Sequence, residues 1–204
     1  MSEFIATQRL VLHPAHEGQA DALQAYVLAN RQHLQPWEPT RDAEYFSLSH
    51  CRQRLRQMQT LAQQGTAMPW MVHLSGESRI VATVQLTGIT RGYFQAAYLG
   101  YGLDHRLQGK GYMQEALSAA LNHAFTELAL HRVMANYMPR NHRSAAVLER
   151  LGFLREGLGQ RYLNINGVWE DHVLTSLIAD DWKHQQQLQP QNQQEQDASS
   201  HGQA

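Results

Sequence analysis

Apolar positions between residues 5 and 182 recur with two periods, about 3.6 residues and two residues, and each switch marks an element. Leu23, Val27 and Leu34 stand at helical spacing and predict a helix over Glu17–Leu34. The stretch Gln35-Pro36-Trp37-Glu38-Pro39 cannot extend it, because each proline removes a donor and restricts the residue before it. A rigid loop follows. Ser47 or Ser49 can cap a second helix, whose apolar face carries Cys51, Leu55, Met58 and Leu61. Alternation predicts an opening strand over Thr7–Leu12 and three successive strands at Pro69–Leu74, Arg79–Ile89 and Phe94–Leu103. Ser75-Gly76-Glu77-Ser78 is the turn between the first two of these three.

Beyond Met113 the helical period returns with Ala116, Leu117, Ala120, Leu121, Ala124, Phe125 and Leu128. A strand over His131–Met138 and a short helix over Arg143–Leu151 come next. Phe153–Ile165 and Val168–Ile178 then flank Asn166-Gly167, a strong two-residue hairpin signal. Mixed strands and helices, with hairpins in the middle and at the end, predict an α+β fold around one central sheet.

Composition changes the picture at the C-terminus. Hydrophobic residues make up 43% and charged residues 17% of the 204, both low for a globular chain. Residues 183–204 account for the deficit, with nine glutamines and one large aliphatic residue, Leu188. We therefore expect one globular domain over residues 1–182 and a disordered Gln-rich tail over 183–204. The formal net charge of −1 gives no global field to recruit nucleic acid or an anionic membrane. A single cysteine, Cys51, excludes an internal disulfide and a multi-thiolate metal site. Without a signal-like N-terminus or a membrane-length apolar run, the chain reads as soluble and cytoplasmic.

The informative chemistry lies in Tyr98-Leu99-Gly100-Tyr101-Gly102-Leu103 and the following Gln108-Gly109-Lys110-Gly111 that enters a helix. Glycines let backbone N–H groups approach a ligand closely, and the helix N-terminus adds orphan donors and a favourable dipole. Such a turn suits a phosphate or pyrophosphate; a turn with no ligand is the alternative for a motif this short. A P-loop is excluded, since Gly111 follows Lys110 where a Ser or Thr is needed, and His105 stands where a dinucleotide fingerprint needs its third glycine.

The pattern Gln108-x-x-Gly111-x-x resembles the acyl-coenzyme A loop of the GCN5-related N-acetyltransferase family, with Met113 at its usually small last position. Asn141-His142-Arg143-Ser144, continuing to Leu151-Gly152-Phe153, is similar to that family's later motif. Trp37-Glu38-Pro39, Tyr98–Tyr101, His131–Pro139 and Asp171–Thr175 resemble its ribosomal-protein N-terminal acetyltransferase branch, over roughly residues 5–182. The resemblance implies a mixed sheet of about seven strands with about four helices. It also implies acetyl-coenzyme A as donor and no metal. The pyrophosphate would rest on Gln108, Gly109, Lys110, Gly111, Tyr112 and Met113, and the pantetheine beside Gly100, Tyr101 and Gly102. Asn141 would adjoin the coenzyme and the reacting groups, and Ser144 would act as general acid, since the family's frequent tyrosine position holds Leu148. The resemblance places Leu163 where the large-subunit branch has a proposed glutamate base. The implied acceptor is the N-terminal alanine of a small-subunit ribosomal protein, free or in the assembling subunit, with no DNA and no membrane involved. Acetylation of another amine, or a binding protein that keeps the coenzyme only structurally, are the alternatives.

Glu38, braced by prolines beside Trp37, can anchor an α-ammonium or relay its proton; capping the next helix is its equally weighted structural role. The twelve histidines show no metal-ligand spacing. Arg52, Arg54 and Arg56 diverge around their helix, which favours a solvated face over contact with ribosomal RNA.

Overall fold

A computed structural model describes residues 4–187. Eight strands form one sheet in the order β1-β2-β3-β4-β5-β6-β8-β7. They are β1 (Ile5–Ala6), β2 (Leu10–Pro14), β3 (Ala67–Leu74), β4 (Ile80–Thr90), β5 (Ala96–Leu103), β6 (Arg132–Met134), β7 (Leu154–Ile165) and β8 (Val168–Ile178). Every neighbouring pair is antiparallel except β5 and β6. The helices are α1 (Ala20–Ala29), α2 (Arg31–Leu34), α3 (Leu48–Gln63), α4 (Tyr112–Thr126) and α5 (His142–Arg150), followed by α6 over residues 179–187. The α+β reading with one sheet holds.

The sheet divides two cores. On one face Leu23, Tyr26, Val27, Cys51 and Leu55 from α1 and α3 close over Met71 and Ile80. On the other, Ala116, Leu117, Ala120, Leu121 and Leu148 of α4 and α5 pack with Val84, Ala97 and Leu99. Cys51 is fully buried, as expected of a small hydrophobe. Ser47 supplies the α3 cap, its Oγ accepting from the His50 amide at 3.1 Å.

Several boundaries differ from the periodicity, each for a local reason. The opening strand is split, because the Thr7 amide and hydroxyl both turn onto the Leu10 carbonyl and divide β1 from β2. This split yields eight strands where about seven were expected. The first helix breaks at Asn30, whose buried side-chain amide donates back to the Tyr26 carbonyl at 3.0 Å while its Oδ1 accepts from the His105 amide. Leu61 stays on the exposed side of α3, and Phe94 lies in the turn before β5. Residues 183–187, assigned above to the tail, lie within α6, and the rest of that tail is outside the described residues.

The departure that matters most is at β6, three residues long instead of eight. β5 and β6 pair only through Ala96–Arg132, Ala97–Val133 and Tyr98–Met134. Past Met134 the chain parts from β5 but stays with β8, its partner on the other edge: the Ala135 amide donates to the Thr175 carbonyl and the Tyr137 amide to the Val173 carbonyl. From Leu99 to Leu103, β5 therefore pairs with β4 alone. The sheet splays open on that side, and β5 presents a row of backbone groups to the gap.

Candidate functional site

Leu99 faces the α4 core, so Tyr101 two residues on points to the α4 and α5 side, while Gly100 and Gly102 face α1 and α3. Tyr101 reaches across the splay to α5, where its Oη lies 2.6 Å from the Ser144 Oγ. Burial, with Tyr137 adding to it and the Ser144 contact opposing it, pushes the Tyr101 phenol up to about 12. It stays protonated near neutrality and can donate to Ser144. Asn141 caps α5, its Oδ1 accepting from the Ser144 amide at 3.1 Å. The Asn141 side chain thus sets where Ser144 sits. Leu148 is core, as its apolar character requires.

Gly100 and Gly102 matter through what they lack. Both have negative φ, so conformational freedom is not their role. A Cβ on Gly102 would come within 3.1 Å of the Tyr26 Oη, and one on Gly100 within 3.3 Å of the Gln85 side-chain nitrogen. Their absent side chains admit Tyr26 and Gln85 close to the strand.

β5 then leads to the glycine turn. Asp104 is almost fully buried, and its Oδ1 accepts from the Arg106 amide. Arg106 and Arg79 both ion-pair with it, at 2.5 and 2.9 Å. The hydrogen bonds from Arg106 outweigh burial and hold the Asp104 carboxyl at about 2. The Gln108 side-chain amide donates to the His33 Nε2 at 2.9 Å. Burial, aided by His105 and Arg143, lowers the His33 ring, which keeps it neutral and able to accept. Gly109 and Gly111 adopt φ of +73° and +78°, the left-handed region that favours glycine. Space around Gly109 is open, and no side chain caps the N-terminus of α4 at Gly111. An uncapped N-terminus of a 15-residue helix behind an open glycine turn fits a pyrophosphate. The adjoining splay offers backbone partners for an amide-bearing arm.

The expected coenzyme residues divide by what their side chains do. Lys110 is exposed, Tyr112 is half-buried, and Met113 packs into the core, so Met113 offers the turn its backbone only. Arg9, which no local pattern in the sequence signals, stands at this turn. Its Nη1 donates to the Lys110 carbonyl at 2.9 Å, its guanidinium lies 4.3 Å from the Tyr112 ring centre, and Glu115 pairs with its Nε at 2.6 Å.

The loop over residues 35–41 crosses to the terminal hairpin. The Asn166 side-chain amide donates to the Gln35 carbonyl at 2.8 Å, and the Thr40 hydroxyl to the Asn166 Oδ1 at 3.2 Å. Glu38 faces a cavity of about 230 Å³ bounded by α1, this loop, α3 and Thr83 of β4. Burial raises its carboxyl above the ordinary range, and the nearby Arg41 and Arg54 oppose that shift. The structure brings Tyr101, Asn141 and Ser144 together, and places Glu38 on the α1 and α3 face. Leu163 on β7 is exposed and carries no base. Among the described residues no group of three or more His, Cys, Asp or Glu is placed to hold a metal ion. No helix among them is long and apolar enough to cross a membrane.

Comparison with known proteins gives this geometry its context. The acetyltransferase (GNAT) domain family matches residues 9–154. The ribosomal protein uS5-alanine N-acetyltransferase of Escherichia coli is 42% identical over 178 residues, 87% of this chain and 92% of that enzyme. The crystal structure of ribosomal-protein-S5-alanine acetyltransferase from Vibrio fischeri superposes with a TM-score of 0.83 at 41% identity, covering 88% of this chain and 98% of that one. Mycobacterium smegmatis RimJ, solved with coenzyme A disulfide, superposes at 0.81 with 32% identity, over 84% of this chain and 83% of its own.

Proposed function

The chain belongs to the acetyltransferase (GNAT) family, and from that premise we propose that it moves the acetyl group of acetyl-coenzyme A to the N-terminal α-amine of a small-subunit ribosomal protein, with alanine as the first residue. The observation that carries the acceptor class is the 42% identity to the uS5-alanine enzyme. An alignment of 178 residues in a chain of 204 spans both the 35–41 loop and the 108–113 turn.

The pyrophosphate rests on the backbone of Gly109, Lys110 and Gly111 at the α4 N-terminus, with Arg9 and Lys110 supplying positive charge. The pantetheine arm lies in the splay and pairs with the free edge of β5. Acetyl-coenzyme A brings the activated acyl group, and this chain supplies position and charge. β5 N–H groups near Tyr101 polarise the thioester carbonyl. Glu38 holds the incoming ammonium on the opposite face, and a water takes its proton, since an α-amine with pKa near ~8 must be neutral to attack. The nitrogen attacks the acetyl carbon and the sulfur leaves with the bond electrons. Ser144, its Oγ accepting a hydrogen bond from Tyr101, gives its own proton to that sulfur and takes one back from water. No metal takes part.

Deletion of the gene and intact-mass measurement of the small ribosomal proteins tests the assignment. One protein should lose about 42 Da, the net mass added when an acetyl group replaces an amine hydrogen, and the purified enzyme with acetyl-coenzyme A should restore it at the α-amine. Unchanged masses, or restoration on a lysine, would refute it.

A further inference from the structure

The cavity beside Glu38 holds more positive charge than an ammonium-binding site needs. Its charged lining residues are Arg31, Arg41 and Arg54 against Glu38 alone. Arg31 stacks on Phe46 at 4.6 Å, and Arg41 stacks on Tyr45 at 4.5 Å while standing 4.0 Å from the Glu38 carboxylate. Arg54 lies against the Tyr45 ring at 4.0 Å and forms no ion pair among the described residues. Its Nη1 is shut off from solvent with no hydrogen-bond partner.

A second donor is in the same condition. Tyr26 is 4% exposed, and its Oη is buried and unpartnered in that lining. Burial is the first reason its phenol is raised, and Glu38 adds to it against the opposing influence of the Thr83 hydroxyl, so the hydroxyl keeps its proton and can donate to an acceptor placed there. Arg54 and Tyr26 thus bring two buried donors without acceptors to the wall of one cavity, in which Leu23, Val27 and Leu34 form an aliphatic stretch. Its volume of about 230 Å³ accommodates one amino-acid side chain and a water or two, taking a water's share of liquid as about 30 Å³.

We propose that this cavity is a specificity pocket for an acidic side chain near the N-terminus of the acceptor polypeptide, the aliphatic stem lying against Leu23, Val27 and Leu34 and the carboxylate received by Arg54 and the Tyr26 hydroxyl. The assignment rests on the acceptor reading above and extends it, because Glu38 then pairs with the α-ammonium while Arg54 pairs with a carboxylate further along. The acceptor's ends of opposite charge match the pocket's, which fixes direction and register together. A planar guanidinium held by stacking on Tyr45 loses little freedom on pairing and suits a carboxylate.

Alanine-initiated peptides with Glu or Gln placed in turn at positions two to five provide the test. Their binding to the enzyme saturated with coenzyme A is followed by calorimetry, and the site of acetylation in parallel by mass spectrometry. At one position the Glu peptide should bind roughly tenfold tighter or more than its Gln twin, about 1.4 kcal/mol. Arg54→Met, which keeps the stem on Tyr45, and Tyr26→Phe should each bring that ratio toward one. Equal binding of Glu and Gln peptides to the wild-type enzyme at every position overturns the pocket, as does a ratio that survives both substitutions. Acetylation of lysine in place of the α-amine, with the ratio intact, leaves the pocket standing and removes the acceptor reading instead. Alanine peptides acetylated without discrimination do the reverse.

Discussion

The Tyr101 Oη and the Ser144 Oγ lie 2.6 Å apart across the splay, joining β5 to α5 where no backbone pairing connects them. A phenol that keeps its proton until about 12 can donate into this contact, and when it does the serine proton is available to a leaving group. Ser144→Ala should lower turnover about 10²-fold, the range for one acid–base group, with little change in coenzyme affinity. Tyr101→Phe should lower it by about tenfold, and the double variant should be no worse than Ser144→Ala alone, because both act on one proton. Steady-state kinetics on the three proteins decides. Additive losses would mean the two hydroxyls act separately.

The glycine turn makes a sharper test of coenzyme binding than removal of a side chain. At φ of +73° Gly109 tolerates only residues that visit the left-handed region, Asn and Asp foremost. Gly109→Asn and Gly109→Asp are nearly isosteric and differ by one negative charge at the α4 N-terminus. Their melting temperatures should agree within a few degrees. Coenzyme A should bind the Asp variant at least about tenfold more weakly than the Asn variant, since the charge opposes a pyrophosphate there. Matched affinities would remove the phosphate from this turn.

Asp104 ties the turn to acid stability. Its folded carboxyl titrates at about 2, held down first by the Arg106 hydrogen bonds, whereas the unfolded group titrates near ~3.9. A depressed carboxyl gives stability that is present above the unfolded value and lost as pH falls toward the folded one. Thermal stability should therefore fall between about pH 4 and pH 2. Asp104→Asn should melt lower at pH 7 and show a shallower fall across that window. Parallel curves for the two proteins would place the acid sensitivity elsewhere.

What the sequence makes legible and what it hides separate along contact range. α4 and the strands before it follow from side-chain periodicity, which is local. Ser144 follows from a motif whose residues are neighbours in the chain. Tyr101 stands in the expected set for its backbone, but its hydroxyl matters because α5, 43 residues away, brings Ser144 to it. Arg9 meets Lys110 across 101 residues and belongs to no local pattern. The shortness of β6 is also hidden: His131–Met138 is apolar enough for a full strand, and no local pattern shows that past Met134 the chain stays with β8 but parts from β5. Glu38 is visible as a braced carboxylate, while its arginine neighbours come from the loop and from α3, and only folding shows which carboxylate they serve.

Glu38 itself has a signature that separates acceptor binding from a structural role. Burial is the main reason its carboxyl is raised above the ordinary range, with Arg41 and Arg54 opposing. A raised carboxyl favours folding fully below the unfolded value, and that advantage disappears as pH rises through the folded one. At pH 7 the ionised Glu38 therefore burdens the free protein, and Glu38→Gln should raise its melting temperature slightly. The same substitution should weaken the hold on an α-ammonium. The pair is partly exposed, so the loss is about 1 kcal/mol and the Michaelis constant for an alanine-initiated peptide rises roughly fivefold. In the wild-type enzyme that constant should also climb as pH drops through the raised carboxyl, a limb that the Gln variant lacks. A peptide blocked at its α-amine but retaining lysines completes the comparison, because it should not be acetylated by either protein. If Glu38→Gln is destabilised and its Michaelis constant is unchanged, the carboxylate serves the loop alone and the ammonium is held elsewhere.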